Sequence, residues 1–287
     1  MKLSIITVNL NNREGLRKTA QSILDQTFID YEWIVVDGAS TDGSVEVANE
    51  FAQKINAKSL ATPINNTPSP IAQVISEPDT GIYNAMNKGI LKAQGEYCFF
   101  LNSGDYLIEG NSLQKAFDLD FTEDVVYGFL KFDRGDHFEI GSSPKEITLR
   151  TFVEGTIHHT GNVFIRRELF NDDKYGLYDE TLKIVSDWKW FLQALGLGTA
   201  TARYIDVMMS VFDCTGISET QTSLMSQERE HVLVKLLPER ILKDYLSRFC
   251  IEDRMYRQEL AIRSSMAYRI GFAILKPIKS IKKWINH

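Results

Sequence analysis

The sequence has few cysteines and no long apolar run. Its 287 residues include three cysteines, Cys98, Cys214 and Cys250, which are far apart and lack the spacing of metal ligands. They indicate a reducing cytosol and argue against a disulfide framework or a zinc site. No run of about 18 apolar residues occurs, so we expect no transmembrane helix. The amino terminus lacks the features of a signal peptide and is typical of a first strand.

Glycine-rich phosphate loops are also missing, because neither the dinucleotide-binding pattern nor the P-loop pattern occurs. A nucleotide would instead need polar groups at strand ends, with a cation against its phosphates. Acidic residues exceed basic residues, 38 against 32. This balance argues against nucleic acid as the main partner.

Basic residues are concentrated near the carboxyl terminus. Residues 263–287 hold six basic residues and no acidic one, and apolar residues such as Phe272, Leu275 and Trp284 lie between them. Such segments are typical of the membrane interface, where apolar groups are immersed and lysines reach anionic headgroups. We therefore predict peripheral membrane contact through this tail. A helix packed on the rest of the chain or on a second subunit is the alternative.

Strands and amphipathic helices alternate over the first hundred residues, which predicts right-handed βαβ units and a mainly parallel sheet. The predicted strands cover residues 4–10, 32–40, 74–77 and 96–101, and the predicted helices cover residues 13–26, 44–55 and 82–93. Beyond Asp105 the pattern indicates a mixed half with strands at 124–132, 161–166 and 203–213 and a helix at 186–195. From residue 218 the chain is typical of helices, broken at Pro238 and Pro277.

Polar side chains stand where the predicted strands end. Thr7 and Asn9 end the first strand, Asp37 ends the second, and Asp105 follows the fourth. In a parallel sheet these ends lie along one edge, where α/β proteins bind ligands. Each residue alone is explained as a turn former or a helix cap. Together they indicate a phosphorylated ligand beside a metal ion.

Four motifs, in this order and spacing, resemble those of the inverting family 2 glycosyltransferases. They are TVNLNN, IVVDGASTDGS, EPDTGIYNAMNKGI and GEYCFFLNSGD. The resemblance implies a GT-A-like α/β fold, with a Rossmann-type, mainly parallel sheet flanked by helices. It also implies a nucleotide-diphosphate-sugar donor and a divalent metal, Mg²⁺ or Mn²⁺, held by a DxD-type motif at Asp105.

The same resemblance divides the chain into three parts. Residues 1–110 would form the nucleotide-sugar-binding half and residues 111–217 a mixed acceptor-binding half. Residues 218–287 would form a helical C-terminal extension that ends in the basic tail.

Two positions depart from the family pattern. Gly38 stands where many members have a second aspartate that contacts the base. Residues 102–105 are Asn-Ser-Gly-Asp, which leaves Asp105 as one carboxylate where the family usually has two or three. A single carboxylate can still hold Mg²⁺, because magnesium keeps several waters and takes phosphate oxygens as further ligands.

A polar stripe runs along the predicted helix after Gly81, with spacing i, i+3 and i+4. It consists of Tyr83, Asn84, Asn87 and Lys88. These groups suit hydrogen bonds to a donor, and a solvated helix face is the alternative. Asp79, just before the helix, is either its N-cap or a ligand to the donor sugar. The resemblance adds further donor-binding residues, namely Thr7, Asn9 and Asp37 for the nucleoside, and Asn102.

The segment GLYDETLKIVSDWKWFLQAL resembles the family segment whose Glu-Asp pair opens the acceptor-site helix. Ser186 replaces the glutamate, and Asp187 keeps the aspartate. Inversion requires a base on the face opposite the leaving nucleotide, so the resemblance makes Asp187 the candidate base. A simple helix cap is the alternative reading of Asp187.

Three further residues are acceptor candidates. His158 and His159 fall where relatives line the cleft, and such a pair can orient an acceptor, contact phosphate or ligate metal. A structural role is the alternative for either histidine. Trp188 can stack on a sugar ring, although a tryptophan in an amphipathic helix is more often part of the core. The segment 212–218 is expected to form a loop near the site, with no role assigned.

These features predict a bacterial surface-polysaccharide glycosyltransferase of the hexosyltransferase type. It would move a sugar, with inversion, from a nucleotide-diphosphate sugar (a UDP-sugar) to a hydroxyl of a glycan or lipid-linked glycan. We expect a cytoplasmic protein that is peripheral on the inner face of the cytoplasmic membrane. Two alternatives stay open: a non-catalytic GT-A partner subunit, motivated by Gly38, Asn102, Gly104 and Ser186, and a sugar nucleotidyltransferase.

Overall fold

The computed structural model describes residues 1–60 and 69–244, together with positions 247 and 258. Residues Met1–Arg229 form one compact unit, and Glu230–His287 form a second. The sheet and the site described below belong to the first unit. Most of the predicted exposed segment at 62–70 lies outside the described residues, as does the tail at 263–287.

The first half of the chain alternates strictly between strand and helix, as predicted. The elements are β1 (Leu3–Asn9), α1 (Arg13–Leu24), β2 (Tyr31–Asp37), α2 (Ser44–Leu60), β3 (Ile71–Ser76), α3 (Ile82–Lys92) and β4 (Tyr97–Phe100). β1 pairs in parallel with β2 and β4, and β2 pairs in parallel with β3. The carboxyl ends of these strands therefore meet along one edge of the sheet. The helix α2 runs five residues beyond its predicted end.

The second half is mixed. Its elements are β5 (Tyr106–Leu107), α4 (Ser112–Phe117), β6 (Val125–Asp133), β7 (Phe138–Ile140), α5 (Leu149–Glu154), β8 (Val163–Arg166), α6 (Ser186–Phe191), β9 (Ala202–Asp213), α7 (Ile217–Thr220) and α8 (Thr222–Leu236). A 3₁₀ turn follows β8, and a π-helical turn at Leu192–Gly196 continues α6. The predicted helix at 186–195 is therefore an α-helix only over its first six residues.

One sheet joins the two halves. The strand order is β3-β2-β1-β4-β8-β6-β9-β5, with β7 paired to β6. β8 runs antiparallel to both β4 and β6, whereas β6 and β9 are parallel. This arrangement agrees with the predicted GT-A-like α/β architecture, because the parallel strands are continued by a mixed sheet from the second half of the chain.

Helices cover both faces of the parallel strands. On one face, α1 and α2 bury Leu16, Ala20 and Phe51 against Trp33 and the rest of a large apolar core. On the other face, α3 packs over β1 and β2. A Cβ atom at Gly89 would lie 2.5 Å from Ile6 Cγ2, so the glycine permits the close approach of α3 to the sheet.

The helix α8 ends at Leu236, just before Pro238, because proline cannot continue the hydrogen-bond ladder. Within the described ranges, none of the helices has the length and apolar character needed to cross a membrane.

Candidate active site

A cleft of about 890 Å³ opens at the carboxyl ends of β1 and β4. Its walls include the start of α3, the start of α6, the end of β9 and one face of α8. Nine of the residues singled out in the sequence line it: Asn9, Asp79, Tyr83, Asn102, Asp105, His158, His159, Asp187 and Trp188. The predicted donor-side and acceptor-side residues therefore share one cavity.

Asp105 lies deep in this cleft, with 4% of its surface exposed. Its Oδ1 accepts a hydrogen bond of 2.8 Å from the backbone N–H of Asp213. Burial raises the pKa of Asp105 to about 7, and the nearby Asp213 carboxylate acts in the same direction. An anion in such surroundings is stabilised when a cation binds beside it.

Asp213, at the end of β9, is a second carboxylate that the sequence analysis did not single out. It lines the cleft, and a Cβ atom at Gly104 would lie 2.9 Å from its Oδ2. Gly104 has φ +109°, a conformation that favours glycine. The glycine of the Asn-Ser-Gly-Asp motif therefore leaves the space that the Asp213 carboxylate occupies.

This pair of carboxylates fits a divalent cation that prefers oxygen ligands. Among the described residues, no group of three or more His, Cys, Asp or Glu is placed to hold a metal ion. The protein thus offers two acids, which suits an ion that takes its other ligands from water and phosphate. In the sequence, Asp213 was indicated only indirectly, because it lies in the 212–218 segment that was expected to form a loop near the site.

Two predicted nucleoside ligands, Thr7 and Asp37, are fully buried and bonded within the protein. Thr7 Oγ1 accepts from Trp33 Nε1 at 2.9 Å. Asp37 accepts from Asn9 Nδ2 at 2.8 Å and from both the backbone N–H and the hydroxyl of Ser40. Asp37 therefore orients Asn9, which does line the cleft, and fixes the loop after β2.

Asp79 lies against the glycine that replaces the family's second aspartate. A Cβ atom at Gly38 would lie 2.5 Å from Asp79 Oδ2. The Asp79 Oδ1 accepts from the N–H of Gly81 at 3.0 Å, and Gly81 itself is the N-cap of α3. The N-cap alternative for Asp79 is therefore wrong. Its carboxylate fills the space beside residue 38 and faces the cleft.

Most side chains of the polar stripe on α3 form bonds to other residues of the same chain. Asn87 exchanges hydrogen bonds with the backbone of Tyr178 and donates to Glu180 at 2.8 Å. Asn84 also donates to Glu180, at 2.9 Å, and Lys88 pairs with Glu77 at 2.9 Å.

Tyr83 is the stripe residue that lines the cleft. Tyr83 and Asn87 are buried, whereas Asn84 and Lys88, for which a solvated helix face was the alternative, are half-buried. The stripe attaches α3 to residues 178–187 of the second half.

Asp187 stands in the first turn of α6, whose N-cap is Val185. The simple cap alternative for Asp187 is therefore wrong. Its Oδ1 accepts from the Tyr83 hydroxyl at 2.7 Å, and its Oδ2 lies 3.8 Å from His159 Nδ1. The side chain is 25% exposed. These contacts hold a partly solvated carboxylate at the cleft wall.

The two histidines differ in role. His159 is buried, its Nε2 lies 2.7 Å from the Tyr178 hydroxyl, and its ring packs on Phe100. Burial lowers the pKa of His159 to about 4, so the ring is neutral at pH 7. His158 lines the cleft with its ring edge-on to Phe132, and burial lowers its pKa too. Neither ring is charged at neutral pH.

Trp188 is 2% exposed and donates from Nε1 to the Phe152 carbonyl at 2.9 Å. It belongs to the core and contributes to the cleft wall, which agrees with the core alternative. Beside it lies Arg229 of α8, whose guanidinium carbon is 5.1 Å from the Trp188 ring centroid. Arg229 and Lys183 are basic cleft residues that the motifs did not indicate.

The comparisons with known proteins agree with the motif resemblance. Residues 4–173 match the family profile described as Glycosyl transferase family 2. A PGL/p-HBAD biosynthesis glycosyltransferase of Mycobacterium bovis is 28% identical over 221 residues, 76% of this chain and 79% of the relative. A putative teichuronic acid biosynthesis glycosyltransferase, TuaG of Bacillus subtilis, is 28% identical over 171 residues, 58% of this chain and 62% of the relative.

Among solved structures, S. aureus TarS in complex with UDP-GlcNAc superimposes with a TM-score of 0.61 at 20% identity. The match covers 100% of this chain and 79% of the TarS chain. At this level of identity the likeness concerns the fold alone.

Proposed function

The chain belongs to glycosyl transferase family 2, and on that premise we propose that it transfers a hexosyl group from a UDP-sugar to a hydroxyl of a glycan or lipid-linked glycan. The observation that carries the proposal is the placement of Asp105 and Asp187 in one cleft. The names of the mycobacterial and Bacillus relatives favour a role in glycolipid or polysaccharide biosynthesis. The UDP-GlcNAc complex of TarS favours a UDP-sugar as donor.

We propose inversion at the anomeric carbon, with Asp187 as the base. The acceptor hydroxyl gives its proton to Asp187 as its oxygen forms the new bond, and the bond to the nucleoside diphosphate breaks on the opposite face. The Tyr83 hydroxyl lies 2.7 Å from Asp187 Oδ1 and 2.5 Å from the Ile184 carbonyl oxygen, and we assign the other carboxylate oxygen, Oδ2, as the proton acceptor. The neutral His159 ring restricts the orientation of that oxygen.

On the donor side, Asn9, Asp79 and Asn102 contact the nucleotide. Asp37 supports this contact by bonding to Asn9, and Thr7 supports it by bonding to Trp33 of the neighbouring strand. Asp105 and Asp213 are the residues that would hold Mg²⁺ or Mn²⁺. When bound, such an ion offsets the negative charge on the departing diphosphate. Asn84, Asn87 and Lys88 contribute to donor binding through the position of α3.

The test is UDP release from a panel of UDP-sugars, with water as acceptor and Mn²⁺ present. Asp187→Asn should lower the rate roughly 100-fold or more, the usual contribution of a general base. The affinity for UDP, measured by calorimetry, should stay within about twofold of the wild-type value, because Asp187 lies on the acceptor side.

Asp206→Asn is the matched control, because Asp206 is exposed on β9. Substantial residual turnover in Asp187→Asn would contradict the assignment of Asp187 as the base. Absence of UDP release by the wild-type protein with every donor, despite UDP binding, would instead support the non-catalytic partner subunit.

A further inference from the structure

Arg229 is a partly buried cation whose Nε atom has no hydrogen-bond partner among the described residues. It lines the cleft together with Thr222 and Met225, which share its face of α8. Its Nε is buried and makes no hydrogen bond within the part of the chain that the structure describes. A buried donor left unsatisfied costs free energy, and a guanidinium stays charged. Its position is therefore explained best by a ligand that completes its hydrogen bonds.

The position of Arg229 is fixed by its neighbour in the chain. The Glu228 carboxylate accepts from the backbone N–H groups of Lys183 at 2.7 Å, Ile184 at 2.9 Å and Val185 at 3.3 Å. These three residues lead directly into α6, which carries Asp187. One short stretch of backbone thus holds both the proposed base and the helix turn that presents Arg229.

The surroundings of Arg229 indicate which ligand it meets. Its guanidinium lies over the ring of Trp188, the residue after Asp187. The Asp187 carboxylate attracts the guanidinium charge electrostatically. The diphosphate of the donor belongs at Asp105, whereas the attacking hydroxyl belongs at Asp187. A cation beside Asp187 is therefore placed for a group on the acceptor.

We infer that Arg229 binds an oxyanion of the acceptor, a phosphate or a carboxylate close to the hydroxyl that attacks. This inference rests on the proposed function, because it takes Asp187 as the base. Guanidinium groups match both oxyanions with two parallel hydrogen bonds. The acceptor class is then an acidic one, such as a phosphorylated sugar or polyol, or a sugar acid, and neutral glycans are poor acceptors.

The experiment compares charged and neutral probes on protein saturated with UDP and Mn²⁺. The pairs are glycerol 3-phosphate with glycerol, and glucuronate with glucose, each titrated by calorimetry. UDP occupies the diphosphate position, so a probe that binds reports a different site. At least one anionic probe should bind, and its neutral partner should bind at least tenfold more weakly.

Arg229→Gln should weaken the anionic probe about tenfold or more, the size of a charge-assisted hydrogen bond. Arg229→Lys should recover part of the affinity, because it keeps the charge but loses the planar fork. UDP affinity should change less than twofold in both variants. Arg17→Gln is the matched control, since Arg17 is a partly exposed residue of α1 that pairs with Glu50 and does not line the cleft.

Several results would overturn the inference. One is an anionic probe that binds wild type and Arg229→Gln equally, and another is the failure of both anionic probes to bind. A third result combines a tenfold loss of UDP affinity in Arg229→Gln with binding of the anionic probes only when UDP is absent. This result would show that Arg229 binds the donor diphosphate.

A different result would contradict the proposed function, namely that the wild-type protein binds neither UDP nor UDP-sugars. The same probes titrated without UDP would then still report whether Arg229 binds an oxyanion.

Discussion

Asp105 is a carboxylate held almost out of water beside a second carboxylate. Since burial raises its pKa from 3.8 to about 7, the protonated form is favoured in the folded protein. The stability that Asp105 contributes is therefore present at low pH and is lost as the pH rises through 7. At pH 8 the ionised Asp105 carboxylate, buried beside Asp213, is a local cost to folding that a bound cation would relieve.

Asp105→Asn should therefore raise the melting temperature in EDTA at pH 8, by roughly 5 °C. It should also abolish the further increase that Mn²⁺ with UDP gives to the wild-type protein, because ligand binding stabilises the folded state by mass action. Thermal unfolding with and without Mn²⁺ measures both effects. The exposed Asp206→Asn control should keep the Mn²⁺ response, and an undiminished response in Asp105→Asn would contradict the metal assignment.

His159 makes the stability of the protein depend on pH in the opposite direction. Its pKa is lowered from 6.5 to about 4 in the folded state, so the unfolded chain binds the proton first. The free energy of unfolding should fall as the pH drops from 6.5 toward 4, by at most about 1.4 kcal/mol per pH unit.

Urea unfolding at pH 7.5 and 5.5 measures this slope. The variant His159→Gln should lose that part of the pH dependence, whereas His137→Gln, at an exposed position, should retain it. An identical slope in His159→Gln and wild type would show that burial of His159 does not set the pH response.

At the scale of secondary-structure elements, the parallel half was predictable because its strands carry continuous β-branched apolar runs. β1 and β2 are buried along their whole length. Short apolar runs that alternate with amphipathic helices are typical of parallel strands covered on both faces. The lengths of α2 and α6 were less predictable. The π-helical turn after Phe191 depends on packing that local sequence does not encode.

The helix α3 shows that a polar pattern alone does not distinguish a contact with a ligand from a contact within the protein. Its polar stripe looked like a ligand wall, yet Asn84 and Asn87 bond to Glu180, and Lys88 bonds to Glu77. A polar side chain that contacts another part of the chain has the same sequence signature as one that contacts a ligand. Glu180 lies 96 positions from Asn84 and 93 from Asn87, so it is identified as their partner only in the folded structure.

The site as a whole combines motif residues with residues that carry no motif. Asn9 and Asp105 stand at strand ends, where spacing made them predictable, whereas Asp187, in the first turn of α6, was indicated by the family resemblance. Asp213 and Arg229 come from the end of β9 and the middle of α8, and their contribution depends on how those elements return to the cleft. Gly38 and Gly104 looked like losses, yet each makes room for a neighbouring carboxylate.

At the scale of the whole molecule, the basic tail is the part that would determine location. We propose that residues 263–287, which lie outside the described residues, attach the protein to the inner face of the cytoplasmic membrane. The composition of this segment, with six basic and no acidic residues, supports the proposal.

Truncation after Met266 should reduce co-sedimentation with anionic liposomes severalfold at low salt, with little effect on neutral liposomes, because screening and charge govern such contacts. The full chain at high ionic strength is the matched control. Equal co-sedimentation of the truncated and full chains would refute the membrane contact and leave packing within the chain or on a second subunit.

The bond between Tyr83 and Asp187 has a consequence for recombining enzymes of this kind. Tyr83 belongs to α3 and Asp187 to α6, and the bond from Asn87 to Glu180 joins the same two parts of the chain. A chimera that takes residues 111–217 from a relative would replace one partner of each bond and keep the other. A chimera that also takes α3 from the relative keeps these bonds between residues of the same parent, so we expect it to preserve the position of Asp187 better.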